Sequence, residues 1–114
     1  MAHTKLNPRE KRKERIRKKV LGSAERPRLT VFKSNRYVYA QIIDDTAQKT
    51  LLAASNLKDA KGANKKSAAL VGETIATKAL QSKIERVVFD RNGYRYHGVI
   101  KEIADAARKA GLQF

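Results

Sequence analysis

The stretch from Arg26 to Gln41 constrains the fold more than any other part of the chain. It predicts two β-strands, 28–33 and 36–43, joined by a tight turn at Ser34-Asn35. Successive side chains of a strand point to opposite faces of the sheet. One predicted face carries only apolar side chains: Leu29, Val31, Val38, Ala40 and Ile42. The other face is mixed and carries Arg28, Thr30, Phe32, Tyr37, Tyr39 and Gln41.

The mixed face suits neither a buried sheet nor a merely solvated one. A core would exclude Arg and Gln, and a solvated face would not need Phe32 and two tyrosines. Aromatic rings between cationic side chains on an open sheet are typical of a nucleic-acid surface, because bases stack on rings and phosphates pair with cations. The alternative is that these rings pack under a helix or loop.

The remaining patterns predict an α/β (α+β) fold with one sheet. A third strand, 49–55, completes an antiparallel meander. A helix over 64–82 follows, with Ala68, Val71, Ile75 and Ala79 at helical spacing. A short apolar strand, 86–89, is predicted to be buried on both faces and parallel to a neighbour. A last helix, 99–110, ends at Gly111. The order βββαβα predicts helices on one side of the sheet and a free opposite side.

Residues 1–27 are predicted to form a basic arm in front of a globular domain, 28–114. The arm holds ten Lys or Arg residues against three Glu. Asn7-Pro8-Arg9-Glu10 is a helix start signal, and Gly22 is a plausible stop. With Ile16 the only apolar residue between Lys11 and Lys19, this helix has no apolar face for a core. We therefore expect it to be frayed until a phosphate backbone orders it. The alternative is a solvated tail that only aids solubility.

The charge of the whole chain indicates a polyanionic partner. Its 114 residues carry a formal net charge of +15, and the pI is near 10.4. A membrane surface is disfavoured, because no basic amphipathic helix with a bulky apolar face and no apolar span is present. The absence of cysteine excludes disulfides and Cys-based metal sites. No hydrophobic segment follows the basic N-terminus as in a secretory signal, so the expected location is the cytoplasm.

The sequence contains few residue patterns that could indicate a catalytic site. A βββαβα fold raises the possibility of a metal-dependent nuclease of the ribonuclease H type, which needs several carboxylates around two metals. The first strand contains no acid, and Asp44 and Asp45 lie in a turn. Asp90 follows the fourth strand, and we expect it to pair with an Arg or to cap the turn. His3 and His97 are far apart in sequence. We predict no catalytic residue, no metal and no cofactor.

A second group of rings and cations follows the fourth strand, in the loop 91–98. Gly98 stands at a helix start, where backbone N–H groups can accept a phosphate. The alternatives are that Tyr94 or Tyr96 seals the sheet edge and that His97 caps the helix. Neither globular helix is a polar recognition helix of the kind that reads DNA, so RNA is the predicted partner and DNA is not.

The candidate RNA-binding residues come from the arm, the hairpin, the 56–66 region and this loop. In the arm they are Arg9, Lys11, Arg12, Lys13, Arg15, Arg17, Lys18, Lys19 and Arg26. In the hairpin they are Arg28, Phe32, Lys33, Ser34, Asn35, Arg36, Tyr37 and Tyr39. The others are Lys61, Lys65, Arg91, Tyr94, Arg95, Tyr96, His97 and Gly98.

The same residues resemble a known family. The stretches 26–45 and 89–98, with the tail 103–114, are similar to bacterial large-subunit ribosomal protein eighteen over essentially the whole chain. The block Phe-Asp-Arg…Tyr-His-Gly followed by Ala-Asp-Ala-Ala-Arg is highly specific. The family usually has Arg after His-Gly, whereas Val99 stands here, which removes one expected phosphate contact.

This resemblance implies a ribonuclease-H-like fold without the catalytic carboxylates. It implies binding of 5S rRNA and its attachment to large-subunit rRNA in the central protuberance, with neighbouring large-subunit proteins as further partners. RNA contacts are implied for the arm, the Phe32–Tyr39 hairpin and the Arg91–Gly98 loop. We expect a monomer off the ribosome. A general RNA chaperone and, more remotely, the nuclease are the alternatives.

Overall fold

A four-stranded sheet with helices on one of its faces forms the frame of the molecule. The computed structural model describes residues 7–56 and 63–114. The elements are α1 (Pro8–Lys19), β1 (Arg28–Lys33), β2 (Val38–Asp44), β3 (Lys49–Ser55), α2 (Lys65–Gln81), β4 (Val88–Asp90) and α3 (Val99–Lys109). The strand order is β3-β2-β1-β4, with β1 antiparallel to β2 and parallel to β4. The predicted mixed α/β fold is confirmed.

The hairpin of β1 and β2 follows the alternation of its sequence. Leu29 is opposite Ile42, Val31 is opposite Ala40, and all four side chains are buried. β2 begins at Val38 rather than at Arg36, because the turn is wider than predicted. In that turn the Ser34 N–H donates to the Tyr37 carbonyl at 2.9 Å, and the Tyr37 N–H donates to Ser34 Oγ at 3.1 Å.

The helical layer buries the stripes that the sequence predicts. In α2 the buried residues include Ala68, Val71, Ile75 and Ala79, and in α3 they are Ile100, Ile103, Ala104 and Ala107. α2 starts one residue after its predicted start because Asn64 is the cap, with Oδ1 accepting from the Ser67 N–H at 2.9 Å. The outer side of this layer carries Glu73, Glu102 and Asp105.

β4 is parallel to β1 as predicted, but it spans residues 88–90 and lies at the sheet edge. Val87 is fully buried, whereas Val88 and Phe89 are half-buried, so the prediction of a strand buried on both faces is wrong. The reason is that rings cover Phe89 only in part: Phe114 stacks on it at 5.5 Å and Tyr96 meets it edge-on at 6.0 Å.

α1 begins with the predicted capping box. Asn7 Oδ1 accepts from the Glu10 N–H at 2.8 Å, and the Asn7 N–H donates to Glu10 Oε2 at 3.2 Å. The helix ends at Lys19, before Gly22. Gly22 is instead a packing position, because a Cβ there would clash with the backbone of Arg28 and Ile43.

The Asp44 carboxylate organises the turn between β2 and β3. Its Oδ1 accepts from the Thr46 hydroxyl at 2.6 Å, from the Thr46 N–H at 3.0 Å and from the Ala47 N–H at 3.3 Å. The Thr46 hydroxyl, with these backbone N–H groups, lowers the pKa of Asp44 below its ordinary value.

Thr46→Val should raise the pKa of Asp44, because it removes the hydroxyl that favours the ionised carboxylate. A carboxyl whose folded pKa is lowered contributes stability above its unfolded pKa and loses it as pH falls through the folded pKa. The stability difference between wild type and Thr46→Val should therefore shrink on acidification. An NMR titration of Asp44, with urea unfolding at neutral and acidic pH, tests this; an unchanged pKa contradicts it.

Gly72 sets the distance between α2 and α3. A Cβ at this position would clash with the Ile103 carbonyl and lie 3.0 Å from the Ala106 Cβ. Gly72→Ala should lower the free energy of unfolding by about 1–3 kcal/mol, as overpacking does, although Ala ordinarily favours a helix. Glu73→Ala, on the exposed side of the same turn, is the control and should stay within about 0.5 kcal/mol. Chemical denaturation measures both; a stabilised Gly72→Ala variant would contradict the tight contact.

Candidate nucleic-acid interface

Four rings form a line along the open face of the sheet, which we call the aromatic row: Tyr94, Phe32, Tyr39 and Tyr37. Phe32 and Tyr39 are opposite each other in the β1–β2 register, and their ring centroids are 5.9 Å apart. Tyr37 lies 6.2 Å from Tyr39, and Tyr94 lies 6.3 Å from Phe32. Phe32 is 43% exposed, so these rings are not covered as in a second core.

Tyr94 joins the row from the loop after β4. Its hydroxyl donates to the Lys33 carbonyl at 3.0 Å and accepts from the Lys33 N–H at 3.3 Å, so it continues the edge of β1. Arg91 Nη1 donates to the Tyr94 carbonyl at 2.7 Å. The Arg9 guanidinium lies over the Tyr94 ring at 4.7 Å. Tyr94 therefore seals the sheet edge, the structural alternative left open by the sequence.

α1 packs on the turn that precedes Tyr94. Arg9 Nη1 donates to the Asn92 carbonyl at 3.0 Å, and Arg12 Nε donates to the Gly93 carbonyl at 2.9 Å. Gly93 has φ +77°, and a Cβ there would clash with the Arg9 carbonyl, so the contact needs glycine. α1 has no apolar face, as the sequence predicts, and packs through polar contacts instead; that it is frayed without RNA stays a prediction.

This packing creates a cleft of about 740 Å³ between α1 and the loop, which we call the basic cleft. Its lining residues are Arg9, Arg12, Lys33, Tyr94, Arg95, Tyr96, His97 and Ile100. Among the described residues no carboxylate lines it. Arm, hairpin and loop, which are separate in sequence, are brought together here.

The start of α3 lies beside this cleft. Gly98 is its cap residue, with φ +58° and no side-chain hydrogen bond at the cap. His97 is exposed, and its backbone N–H donates to the Arg95 carbonyl at 2.8 Å. The alternative that the His97 side chain caps the helix is therefore wrong, and the phosphate contact at Gly98 stays a prediction.

Arg28 must be withdrawn from the candidate phosphate contacts. It is 4% exposed, and its Nε and Nη2 donate to Asp45 at 2.9 and 3.0 Å while Nη1 donates to Asp90 at 2.7 Å. Burial alone would lower the pKa of Arg28, but hydrogen bonds to both carboxylates, and their charges, raise it above its ordinary value. The sequence placed Arg28 on the open face correctly and predicted an Arg partner for Asp90, but it did not identify Arg28 as that partner and missed Asp45.

Asp90 has both roles expected from the sequence. It pairs with Arg28, and its Oδ1 accepts from the Asn92 N–H at 2.8 Å, which holds the turn. Within residues 7–56 and 63–114, no group of three or more His, Cys, Asp or Glu residues is placed to hold a metal ion. No helix in the same ranges is long and apolar enough for a membrane span.

The other candidates are spread over the surface. The turn residues Ser34, Asn35 and Arg36 are exposed beyond the aromatic row, and Lys11 and Arg15 are exposed on α1. Arg26 lines a separate cavity with Arg86 and Phe114. Lys65 is exposed at the start of α2, in the helical layer. Tyr96 accepts from Arg108 Nη1 at 2.8 Å. Lys61 and the side chains of Arg17, Lys18 and Lys19 lie outside what the structure describes.

Sequence reasoning missed a groove on the open face. It has a volume of about 450 Å³, and Lys13, Thr30, Phe32, Tyr39, Gln41 and Asn92 line it. We call it the sheet groove. Strand alternation already placed Thr30 and Gln41 beside the rings and could have identified them. Lys13 and Asn92 carry no such signal, because they reach the groove only through the docking of α1.

Comparisons with known proteins agree with one another. Residues 3–114 match the family model described as ribosomal L18 of archaea, bacteria, mitochondria and chloroplast. The chain is 62% identical over 111 residues to large ribosomal subunit protein uL18 of Caldanaerobacter subterraneus subsp. tengcongensis, covering 93% of this chain and 92% of that protein. It is 59% identical over 112 residues to the protein of the same name from Bacteroides thetaiotaomicron, covering 97% and 98%.

Arg28→Met should lower the free energy of unfolding by about 3–5 kcal/mol, because it leaves two carboxylates facing each other with no cation. Lys101→Met is the control: its ion pair with Asp105, at 3.4 Å, is between two exposed side chains of one helix. That variant should lose about 1 kcal/mol or less. Urea unfolding measures both. Equal losses in the two variants would contradict the structural role of Arg28.

Proposed function

We propose that this chain, which belongs to the ribosomal L18 family, binds 5S rRNA and helps to attach it to large-subunit rRNA in the central protuberance. Membership of the family makes the chain a structural constituent of the large ribosomal subunit, in the cytoplasmic ribosome, and not an enzyme. The choice of 5S rRNA as the direct partner rests on the sequence resemblance described above.

The observation that carries the proposal is the contact of α1 with the 91–94 turn, which makes one surface from three segments. The aromatic row and the basic cleft share Tyr94, over whose ring the Arg9 guanidinium lies. Rings can stack on bases and cations can neutralise phosphates within a single footprint. A folded RNA offers both groups at once, which favours it over a featureless polyanion.

The cations of this surface keep their charge for the RNA. Arg9 and Arg12 are held by backbone carbonyls, which are neutral, and neither guanidinium forms an ion pair with a carboxylate within residues 7–56 and 63–114. Each guanidinium has further N–H donors that can reach a phosphate. Arg95 and Lys33 are exposed at the same cleft. We assign the phosphate contacts at the basic cleft to these four residues.

The remaining candidates extend this footprint. Lys11, Lys13, Arg15, Arg17, Lys18 and Lys19 would follow the backbone along α1, and Ser34, Asn35 and Arg36 would extend the aromatic row. Arg26, Lys61 and Lys65 would reach large-subunit rRNA or a neighbouring protein. The division into an arm, 1–27, and a globular domain, 28–114, belongs to the same proposal. In this proposal α1, which belongs to the arm, forms one side of the RNA-binding site before the RNA arrives.

Lys33→Gln should weaken binding to 5S rRNA and reduce the slope of log K against log salt by about 0.9, the value for one phosphate contact on a duplex. Lys109→Gln is the matched control, because Lys109 is an exposed lysine beside Glu73 and Glu102 on the helical layer. Its slope should equal that of wild type. Filter binding or fluorescence anisotropy over a salt series measures both.

A competition at one salt concentration tests the choice of RNA. Wild type should prefer 5S rRNA to an unrelated structured RNA of equal length. Equal affinities would replace the 5S proposal with a general RNA chaperone. A salt slope unchanged by Lys33→Gln would remove Lys33 from the phosphate contacts.

A further inference from the structure

We infer that the sheet groove binds a single unpaired RNA nucleotide, with its base on the rings of Phe32 and Tyr39. This rests on the proposed RNA-binding function but does not require that the RNA be 5S rRNA. The groove lies between α1 and the open face of β1 and β2. It is distinct from the basic cleft, with which it shares no lining residue.

The floor of the groove is apolar and accessible. Phe32 is 43% exposed, and Tyr39 is half-buried beside it with a ring separation of 5.9 Å. The two rings are tilted by 56° to each other, so a flat base can stack on one ring and meet the other at its edge, and both rings line the groove. An accessible ring beside cationic side chains is the arrangement on which unpaired bases stack.

The walls of the groove carry uncharged hydrogen-bonding groups. Thr30 supplies a hydroxyl, and Gln41 and Asn92 supply amides. None of these three side chains hydrogen-bonds to a residue in the described part of the chain. Such groups match the edges of a base, which present both donors and acceptors, whereas a phosphate only accepts and would use only their donors.

Two cations line the groove: Arg28, whose guanidinium is already paired with Asp45 and Asp90, and Lys13. Lys13 comes from α1 and stands on the side away from the strands. A base on the rings would place its phosphate toward the rim, where Lys13 can neutralise it. The volume of about 450 Å³ lies in the range of small-molecule sites, about 300–1,000 Å³, and is too small for a duplex. A paired base also hides its faces in the stack, so the occupant must be unpaired.

Two RNA hairpins test the inference: one fully paired, and one with the same stem and a single bulged nucleotide. Wild type should bind the bulged hairpin about 5- to 150-fold more tightly, the range of one base–aromatic stack. Phe32→Leu, which keeps an apolar side chain but removes the ring, should abolish this preference. Gln41→Ala should reduce it without affecting the core, because Gln41 is exposed.

Gln81→Ala is the matched control, an exposed glutamine at the end of α2. It should retain the full preference, and thermal unfolding checks that each variant is folded. Equal affinity of wild type for the two hairpins would contradict the proposal that the sheet groove binds an unpaired nucleotide. A preference that survives in both Phe32→Leu and Gln41→Ala also overturns it, because the bulge is then bound elsewhere. Failure of wild type to bind either hairpin at low salt would instead contradict the RNA-binding function.

Discussion

The guanidinium of Arg28 lies where β1, the β2–β3 turn and the end of β4 meet, and all three of its nitrogens donate to carboxylates. Asp45 also accepts from the Gly22 N–H at 2.7 Å, so the segment after α1 is held at the same point. Asp90 also accepts from the Asn92 N–H, so the turn that receives α1 is held there too. One buried cation thus fixes both the chain that leaves α1 and the surface on which α1 packs.

The buried cluster of Arg28, Asp45 and Asp90 contributes more to the positioning of these segments than to the free energy of folding. Burying charges costs desolvation, and the attraction between them offsets this cost only in part. Here every buried side-chain nitrogen and oxygen among the described residues has a partner, so the arrangement is fully satisfied. The cluster positions the Asn92 and Gly93 carbonyls to which Arg9 and Arg12 donate. A surface with many cations, which repel one another, needs such neutral anchors on a rigid base.

The sequence predicted the features that depend on residues close to one another in the chain. Strand alternation placed Phe32 and Tyr39 on the open face and Leu29 and Ile42 in the core. Cap residues such as Asn7 and Asn64 placed helix starts to within one residue. What it could not predict depends on residues far apart in the chain. The Arg9 contact with Asn92 spans 83 positions, and the Arg28 contact with Asp90 spans 62. Neither contact leaves a periodic pattern in the sequence. Both use Arg side chains, which sequence reasoning expects to face solvent or RNA.

The placement of acids on the helical layer has a consequence for how the protein meets its partner. Glu73, Glu102 and Asp105 lie together on the outer side of α2 and α3, away from the sheet face that carries the rings. Lysines accompany these acids on the same layer, among them Lys101 and Lys109, so opposite charges partly offset one another there, whereas no carboxylate lines the basic cleft in the described part of the chain. In the field of a polyanion this uneven distribution orients the molecule before contact, which raises the fraction of productive encounters. The helical layer then faces away from the RNA.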